Sequence, residues 1–382
     1  MKKILVGLSG GVDSAVAAYL LKEQGYDVTC AFMRNWDSLT NDDILGNPTL
    51  DEGQCTQEKD WQDAQDAADL LGLPLLRIDF IEEYWTNVFE TFLETYRRGQ
   101  TPNPDILCNR YIKFDQFLSF AKREGFDTLA TGHYAKNGFY HGLPAVLKAN
   151  DRSKDQSYFL AEISRSCLDS IYFPLADVPK TEVRRIAEEL HLSIAKKKDS
   201  TGICFIGERK FREFLSNYLP MKPGKIIEIS GKTVGEHKGV LYYTIGQRKG
   251  LNIGGTGPYY VIGKNVNTNE LYVANTADES WLYSTSCVVR DMNYLADISF
   301  PMQVSAKFRY RQEDQPVTIE RIDDTSLLVS YPQTVRSVTP GQEAVFYDGD
   351  VMLGGGVIES VYQNGEDIAE KIRRQLENVH VI

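Results

Sequence analysis

Residues 4–21 read ILVGLSGGVDSAVAAYLL: an apolar stretch, two adjacent glycines with an aspartate and two serines around them, then a second apolar stretch. Ile4–Leu8 is short and apolar with turn residues directly behind it, the pattern of a buried strand. From Val12 onward the apolar residues Val16, Tyr19 and Leu20 recur at helical spacing until Gly25 stops the pattern, so a helix follows. Ser9–Ser14 is then a strand-to-helix turn. Gly10 and Gly11 permit backbone angles closed to other residues and let a ligand approach the amides, while the unpaired N–H groups at the helix start point the same way. The product is an anion site. Ser9 and Ser14 add hydroxyl donors, and Asp13 would repel a phosphate unless a divalent cation stood between them, so the turn suits a polyphosphate carried with Mg2+. Small residues also serve ordinary tight turns, and the run fits neither G-x-x-x-x-G-K-[ST] nor G-x-G-x-x-G.

The chain has 382 residues, long for one core. Its apolar runs fall short of the roughly 20 residues that cross a bilayer and no charged-then-apolar leader is visible, so no membrane partner is expected. Six cysteines without a CxxC pair suit a reducing cytoplasm and argue against a disulfide scaffold or a cysteine-only zinc site, and no metal centre is expected. The formal charge is −11 and uneven. Asp37–Asp69 carries ten acidic residues and one basic, Lys59, whereas Lys180–Arg212 carries nine basic against five acidic, where a polyanion could dock.

Up to about residue 210, strand-like segments (Val28–Phe32, Leu75–Phe80, Thr128–Thr131) alternate with helix-like ones (Asp60–Leu71, Glu82–Arg97, Tyr111–Arg123). That rhythm predicts an α/β fold, a doubly wound, mostly parallel sheet with ligands beyond the carboxyl ends of its strands. Asp37–Cys55, polar and aperiodic, reads as a mobile loop over the site. After about residue 215, short β runs with Gly and Pro turns predict two small β domains, near Lys222–Asn275 and Ser284–Val361, the last barrel-like. Asp367–Leu376 reads as a terminal helix. The expected division is 1–215, 216–282 and 283–382.

Two cysteines lie in unusual surroundings, TPNPDILCNRYIKF (101–114) and KKKDSTGICFIG (196–207). Asp105 precedes Cys108 by three residues, a separation that one helical turn closes. The lysine run Lys196–Lys198 sets Cys204 in positive surroundings that favour a thiolate. Buried cysteines are commonly inert, so spacing alone leaves both readings open. On a strand, Lys307, Arg309 and Arg311 would share one face and could track phosphates, or form an ordinary solvated face.

The run SGGVDS resembles the S-G-G-x-D-S loop of the ATP pyrophosphatases. With AFMRNW, NPDILCNRYIKF, ATGHYA, KDQSYFL, KDSTGICFIGERKFREFL, YTIGQRKGL, RYR and GGGVI, nearly the whole chain resembles the bacterial tRNA-specific 2-thiouridylases, which sulfurate the wobble uridine of tRNA. Ala15 stands where many relatives carry serine. The resemblance implies an adenine nucleotide alpha hydrolase-like first domain that binds Mg2+ and ATP through Gly7, Leu8, Ser9, Gly10, Gly11, Val12, Asp13, Ser14, Ala15 and Val16, with Met33 and Gly132 near the nucleoside. It implies Cys108 as nucleophile, Cys204 as the persulfide carrier, a disulfide between them, and a persulfide-carrying donor protein as partner. It also implies that Asn103, Pro104 and Asp105 meet the target base, with Asp105 managing a proton, and that His133, Lys154, Asp155, Gln156, Arg309, Tyr310 and Gln342 contact tRNA. A small-molecule synthetase of the ATP pyrophosphatase type and a non-catalytic RNA-binding protein are the competing readings.

Overall fold

The computed structural model describes residues 1–45, 47, 56–199, 206, 210–254 and 257–380. Its first sheet is built on strand β1 (Lys3–Gly7), with β2 (Asp27–Arg34), β3 (Leu75–Asp79) and β4 (Thr128–Ala130). After a hairpin, β5 (Ala135–Tyr140) and β6 (Leu143–Lys148), the chain adds β7 (Ile171–Tyr172) at the far edge. The order is β3-β2-β1-β4-β7 and every pair is parallel. Ile4, Leu5 and Val6 are buried because helices cover both faces, which is why β1 reads as an unbroken apolar run.

One face packs Val16, Ala17 and Leu21 of the helix Val12–Glu23 with Ala64 and Ala68 of Thr56–Leu71 and Val183 of Lys180–Glu189. The other packs Phe89, Phe92, Ile112 and Phe117, and its cluster continues without a break into Val261 and Leu271 of the middle of the chain and Val345 and Tyr347 near the end.

The second sheet contains β8 (Gly224–Glu228), β9 (Thr233–His237), β10 (Tyr259–Asn265) and β11 (Glu270–Asn275), in the order β10-β11-β8-β9 with only β11 and β8 parallel. In the third, β12 (Tyr283–Tyr294), β13 (Met302–Lys307), β14 (Gln315–Arg321), β15 (Leu327–Arg336), β16 (Glu343–Asp348) and β17 (Val351–Gln363) close a six-stranded barrel, because β12 pairs with both β15 and β17. Inward residues such as Val289, Ala306, Ile319, Val329, Phe346 and Ile358 fill it.

Several elements depart from the sequence reading. The helix expected from Tyr111 starts at Pro104, runs to Cys108, and continues through a π-helical stretch, Asn109–Gln116, into Phe117–Arg123. The β5–β6 hairpin, unforeseen, leaves the parallel sheet and joins the barrel, where Leu147 pairs with Val351 and Lys148 N–H donates to Asp350 O. The terminal helix, Ile368–His380, grouped with the barrel from sequence, sets Ile372 and Leu376 against Ile227, Ile229 and Ile262 of the second sheet. Residues 37–45 are folded rather than loose: Asp37 Oδ1 caps Leu39 and Thr40, Trp36 Nε1 donates to Asp43 at 3.1 Å, and Tyr218 Oη donates to Asn41 O. The rest of that expected loop, Gly46 and Pro48–Cys55, lies outside the described residues. Among the described residues no helix is long and apolar enough to cross a membrane.

The barrel meets the segment before Cys108 at Gly341, whose φ is +88° and where a Cβ would come within 2.7 Å of Gln100 Cβ and 2.8 Å of Thr101 N. Gly341→Ala is expected to cost about 2 kcal/mol from backbone strain and this clash, read as a lower urea midpoint with an unchanged slope.

Candidate active site

At the carboxyl end of β1 the chain turns through Ser9–Gly11 into the helix that starts at Val12. Ser14 Oγ accepts from Ser9 N–H at 3.1 Å and donates to Gly11 O at 3.0 Å, so the turn is closed by its own side chain. Gly10 has φ +73°, and a Cβ there would lie 2.2 Å from Asp60 O. Leu8, Val12, Ala15 and Val16 are buried, so what they and Gly7 offer a ligand is main chain. Met33, at the end of β2, and Phe117 lie against Gly7. Gly132 packs on the helix start, where a Cβ would come within 2.8 Å of Ser14 N.

The charge beside the turn is arranged differently from the expectation. Asp13 accepts two bonds from Lys180 Nζ, at 2.7 and 2.8 Å, and one from Tyr134 Oη at 2.9 Å. Lys180 is thus the cationic partner of Asp13 within the chain itself, and among the described residues no group of three or more metal-ligating side chains occurs. Lys197 donates to Gly10 O at 3.0 Å and pairs with Asp60 and Asp63 at 2.7 and 2.6 Å. The acidic tract of residues 37–69 and the basic tract of 180–212 thus meet behind the turn, and the middle of the lysine run is taken up there; Lys196 and Lys198 are exposed.

Asp199 gathers the neighbouring cations: Lys180 at 2.7 Å, Lys154 at 2.9 Å and Arg184 at 2.9 Å. Partial burial pushes its carboxyl up, but the bonds and charges of Lys180 and Lys154 outweigh this and hold it down at about 2. His133 follows Gly132. Its Nδ1 lies 2.8 Å from Thr131 Oγ1 and its Nε2 3.5 Å from Lys113 Nζ, which can only donate, so Nδ1 carries the proton. Burial, then the Lys113 charge, keeps this imidazole well below its usual pKa and therefore neutral.

The other half of the site is the helix that begins at Pro104, with Asn103 as its cap position, Asp105 in its first turn and Cys108, fully buried, at its end. The approach to it is clamped from the barrel: Thr101 N–H donates to Pro340 O, and Gln342 Nε2 donates to Thr101 O at 2.9 Å and Pro102 O at 3.2 Å. Behind Cys108, Asn109 donates to Phe159 O and Arg110 pairs with Glu162 at 3.0 Å. Asp155 accepts from Ala149 N, Ser157 N and Ser157 Oγ, and Gln156 is bonded through both main chain and side chain to Tyr134.

The alternation expected at 307–311 fails, because β13 ends at Lys307 and Phe308–Gln312 is a turn closed by Gln312 N–H to Arg309 O at 3.1 Å. Arg309 is mostly buried, its Nη2 donating to Ile245 O, Ser337 O and Thr339 Oγ1, while Tyr310 rests on Phe159 with ring centres 4.3 Å apart. Cys204 lies outside the described residues. Sequence reasoning missed Lys180, Tyr134, Asp199 and Lys113; the first sits at the head of a helix inside the counted basic tract, and Tyr134 inside ATGHYA.

A parallel α/β sheet whose first strand enters a helix through a closed, glycine-bearing anion turn, joined to two β modules, defines a nucleotide-binding domain with appended β domains. Family descriptions match in the same order: the tRNA methyl transferase HUP domain over residues 2–208, the tRNA methyl transferase PRC-barrel domain over 212–275 and the aminomethyltransferase beta-barrel domain over 284–358. The chain is 52% identical over 371 residues to the tRNA-specific 2-thiouridylase MnmA of Mycoplasma capricolum (94% of this chain, 99% of that one). It is 50% identical over 374 residues to that of Mycoplasmopsis pulmonis (96% and 99%) and 47% over 368 to that of Staphylococcus epidermidis (95% and 96%). It belongs to the tRNA-specific 2-thiouridylase family.

Because the folded pKa of Asp199 lies below its ordinary 3.8, its pairs stabilise the fold above that value and are lost as the pH falls toward about 2. Asp199→Asn is expected to lower stability near neutral pH by on the order of 1 kcal/mol, the group being partly solvent-screened, and to flatten the acid limb of a stability-against-pH curve.

Proposed function

We propose that this protein uses ATP to replace the 2-oxygen of the wobble uridine of tRNA with sulfur, releasing AMP and pyrophosphate. What supports this reading most is the near-complete, roughly half-identical match to 2-thiouridylases, combined with an anion turn and a clamped cysteine helix in one molecule.

Oxide is a poor leaving group, so the uridine oxygen first attacks the α-phosphorus of ATP and pyrophosphate leaves. The amides and hydroxyls of Ser9–Ser14 accept the negative charge that develops there, and Lys180 neutralises Asp13 so that the turn presents no net repulsion. Asp13, beside Lys180, is where a Mg2+ ion brought with ATP would be met, and such an ion would offset phosphate charge. Met33 and Gly132 line the nucleoside side. Asn103, Pro104 and Asp105 hold the target base, and Asp105 handles the proton that moves during adenylation. In this reading Gln342 acts in tRNA binding through the Thr101–Pro102 carbonyls that it holds, and Lys154, Asp155, Gln156, His133, Arg309 and Tyr310 are assigned to the same role.

Cys204 receives sulfur as a persulfide from a donor protein in a reducing compartment. The sulfur displaces AMP from C2, and attack of the Cys108 thiolate on the Cys204 sulfur breaks the sulfur–sulfur bond and closes a disulfide, which an external thiol reopens.

Incubating the protein with unmodified tRNA, Mg–ATP and a persulfide donor, then analysing nucleosides by mass, is expected to give ATP-dependent 2-thiouridine that disappears in Cys108→Ser and Cys204→Ser. Lys180→Met is expected to weaken ATP binding about tenfold or more. A folded protein that binds ATP yet thiolates no tRNA with any donor would overturn the reading.

A further inference from the structure

On the side of Thr101 that faces the second sheet, a depression of about 440 Å³ opens to solvent, lined by Tyr96, Phe211, Tyr242, Thr244, Arg212 and Gln247. None of the residues given a role above forms its walls. Its aromatic content is high and one ring stands out: Phe211 is 40% exposed, with the ring of Tyr96 beside it at a separation of 6.4 Å and a tilt of 57°. A large apolar ring left in water at the mouth of a depression is costly for the fold alone, and each base of a single strand offers a π-face to cover it.

The rim is basic in an otherwise acidic chain. Lys210, 3.8 Å from Glu213, belongs to the lining, Arg212 holds its guanidinium 5.0 Å above the ring of Tyr243, and Arg248 and Lys249, both exposed, follow Gln247 in its turn. That turn is fixed by its own bonds, with Thr244 N–H donating to Gln247 Oε1 and Gln247 Nε2 donating to Lys249 O, so its cations stand on a rigid support. The depression also adjoins the segment that leads to Cys108, since Thr244 Oγ1 lies 3.5 Å from Thr101 Oγ1.

Resting on the function proposed above, we infer that this depression is a nucleotide subsite of the tRNA: it takes an unstacked base next to the one being modified. The base stacks on Phe211 beside Tyr96, and the flanking phosphate meets Lys210 and Arg212. The amide of Gln247 is already engaged within its own turn, so the subsite holds a base by its face rather than reading its edge, and tolerates different bases. Anchoring a neighbour in this way would keep the target nucleotide out of the stack while it reaches the Asn103–Cys108 helix.

The test uses the full-length protein with an anticodon stem–loop carrying 2-aminopurine in turn at each position flanking the wobble uridine. Phe211→Ala is expected to weaken binding about tenfold and to abolish fluorescence quenching at one flanking position, with ATP affinity and melting temperature unchanged. Phe211→Trp should restore both, and Arg212→Gln should reduce the slope of log K against log salt by about one. If the intact protein makes 2-thiouridine while these variants bind RNA with unaltered affinity, quenching and salt slope, or lose only affinity for the persulfide donor, the subsite is wrong and the function stands. If the intact protein makes no 2-thiouridine yet the variants lose RNA in the manner described, the function is wrong and the subsite stands. Should Phe211→Ala fail to fold, the Arg212→Gln salt slope decides alone.

Discussion

Lys180 stands between two carboxylates, Asp13 and Asp199, at 2.7 Å from each, and the electrostatics of the nucleotide end follow from that placement. Without a cation there, the aspartate of the SGGVDS turn would face an incoming polyphosphate with its full charge. With it, the turn is neutral before any ligand arrives, and the same lysine connects the turn to Asp199 and through it to Lys154 and Arg184. Lys197 performs the parallel task behind Gly10. Two tracts of opposite sign, far apart in the chain, are thereby partly cancelled against one another.

The parts of the molecule that could be read from sequence are those whose cause is local. The Ser9–Ser14 turn declares itself because glycine, hydroxyl and helix start are consecutive, and the strands β1, β2 and β4 because burial leaves largely apolar runs, while the edge strand β3, exposed at Leu76 and Arg77, declares itself by its alternation with helices. The two β modules were visible in the turn spacing, and the helix bearing Cys108 in part, though its beginning at Pro104 was obscured by the prolines around it.

What escaped was decided at a distance. The β5–β6 hairpin finds its partner strand some two hundred residues later, and its only local sign was His141-Gly142, both at positive φ, a tight-hairpin turn. Arg309 looked like one member of a cationic strand face, but a chain reversal at Phe308 turned it toward Ile245, Ser337 and Thr339. Asp43, in a tract that reads as solvated, accepts a bond from the buried indole of Trp36. In each case the partner lies outside the residue's own helical or strand repeat, and periodicity carries no record of it.

The β5–β6 hairpin also fixes the order in which this protein can be completed. During synthesis the parallel sheet can assemble once β7 has emerged, but the outer edge of β6 then lacks its neighbour, and Lys148, later paired with Asp314 and resting against Tyr347, has neither. An open strand edge is a template for other chains. Until Val351 is in place beside Leu147, that edge of the hairpin has no strand neighbour, so the first domain depends on the barrel to close it.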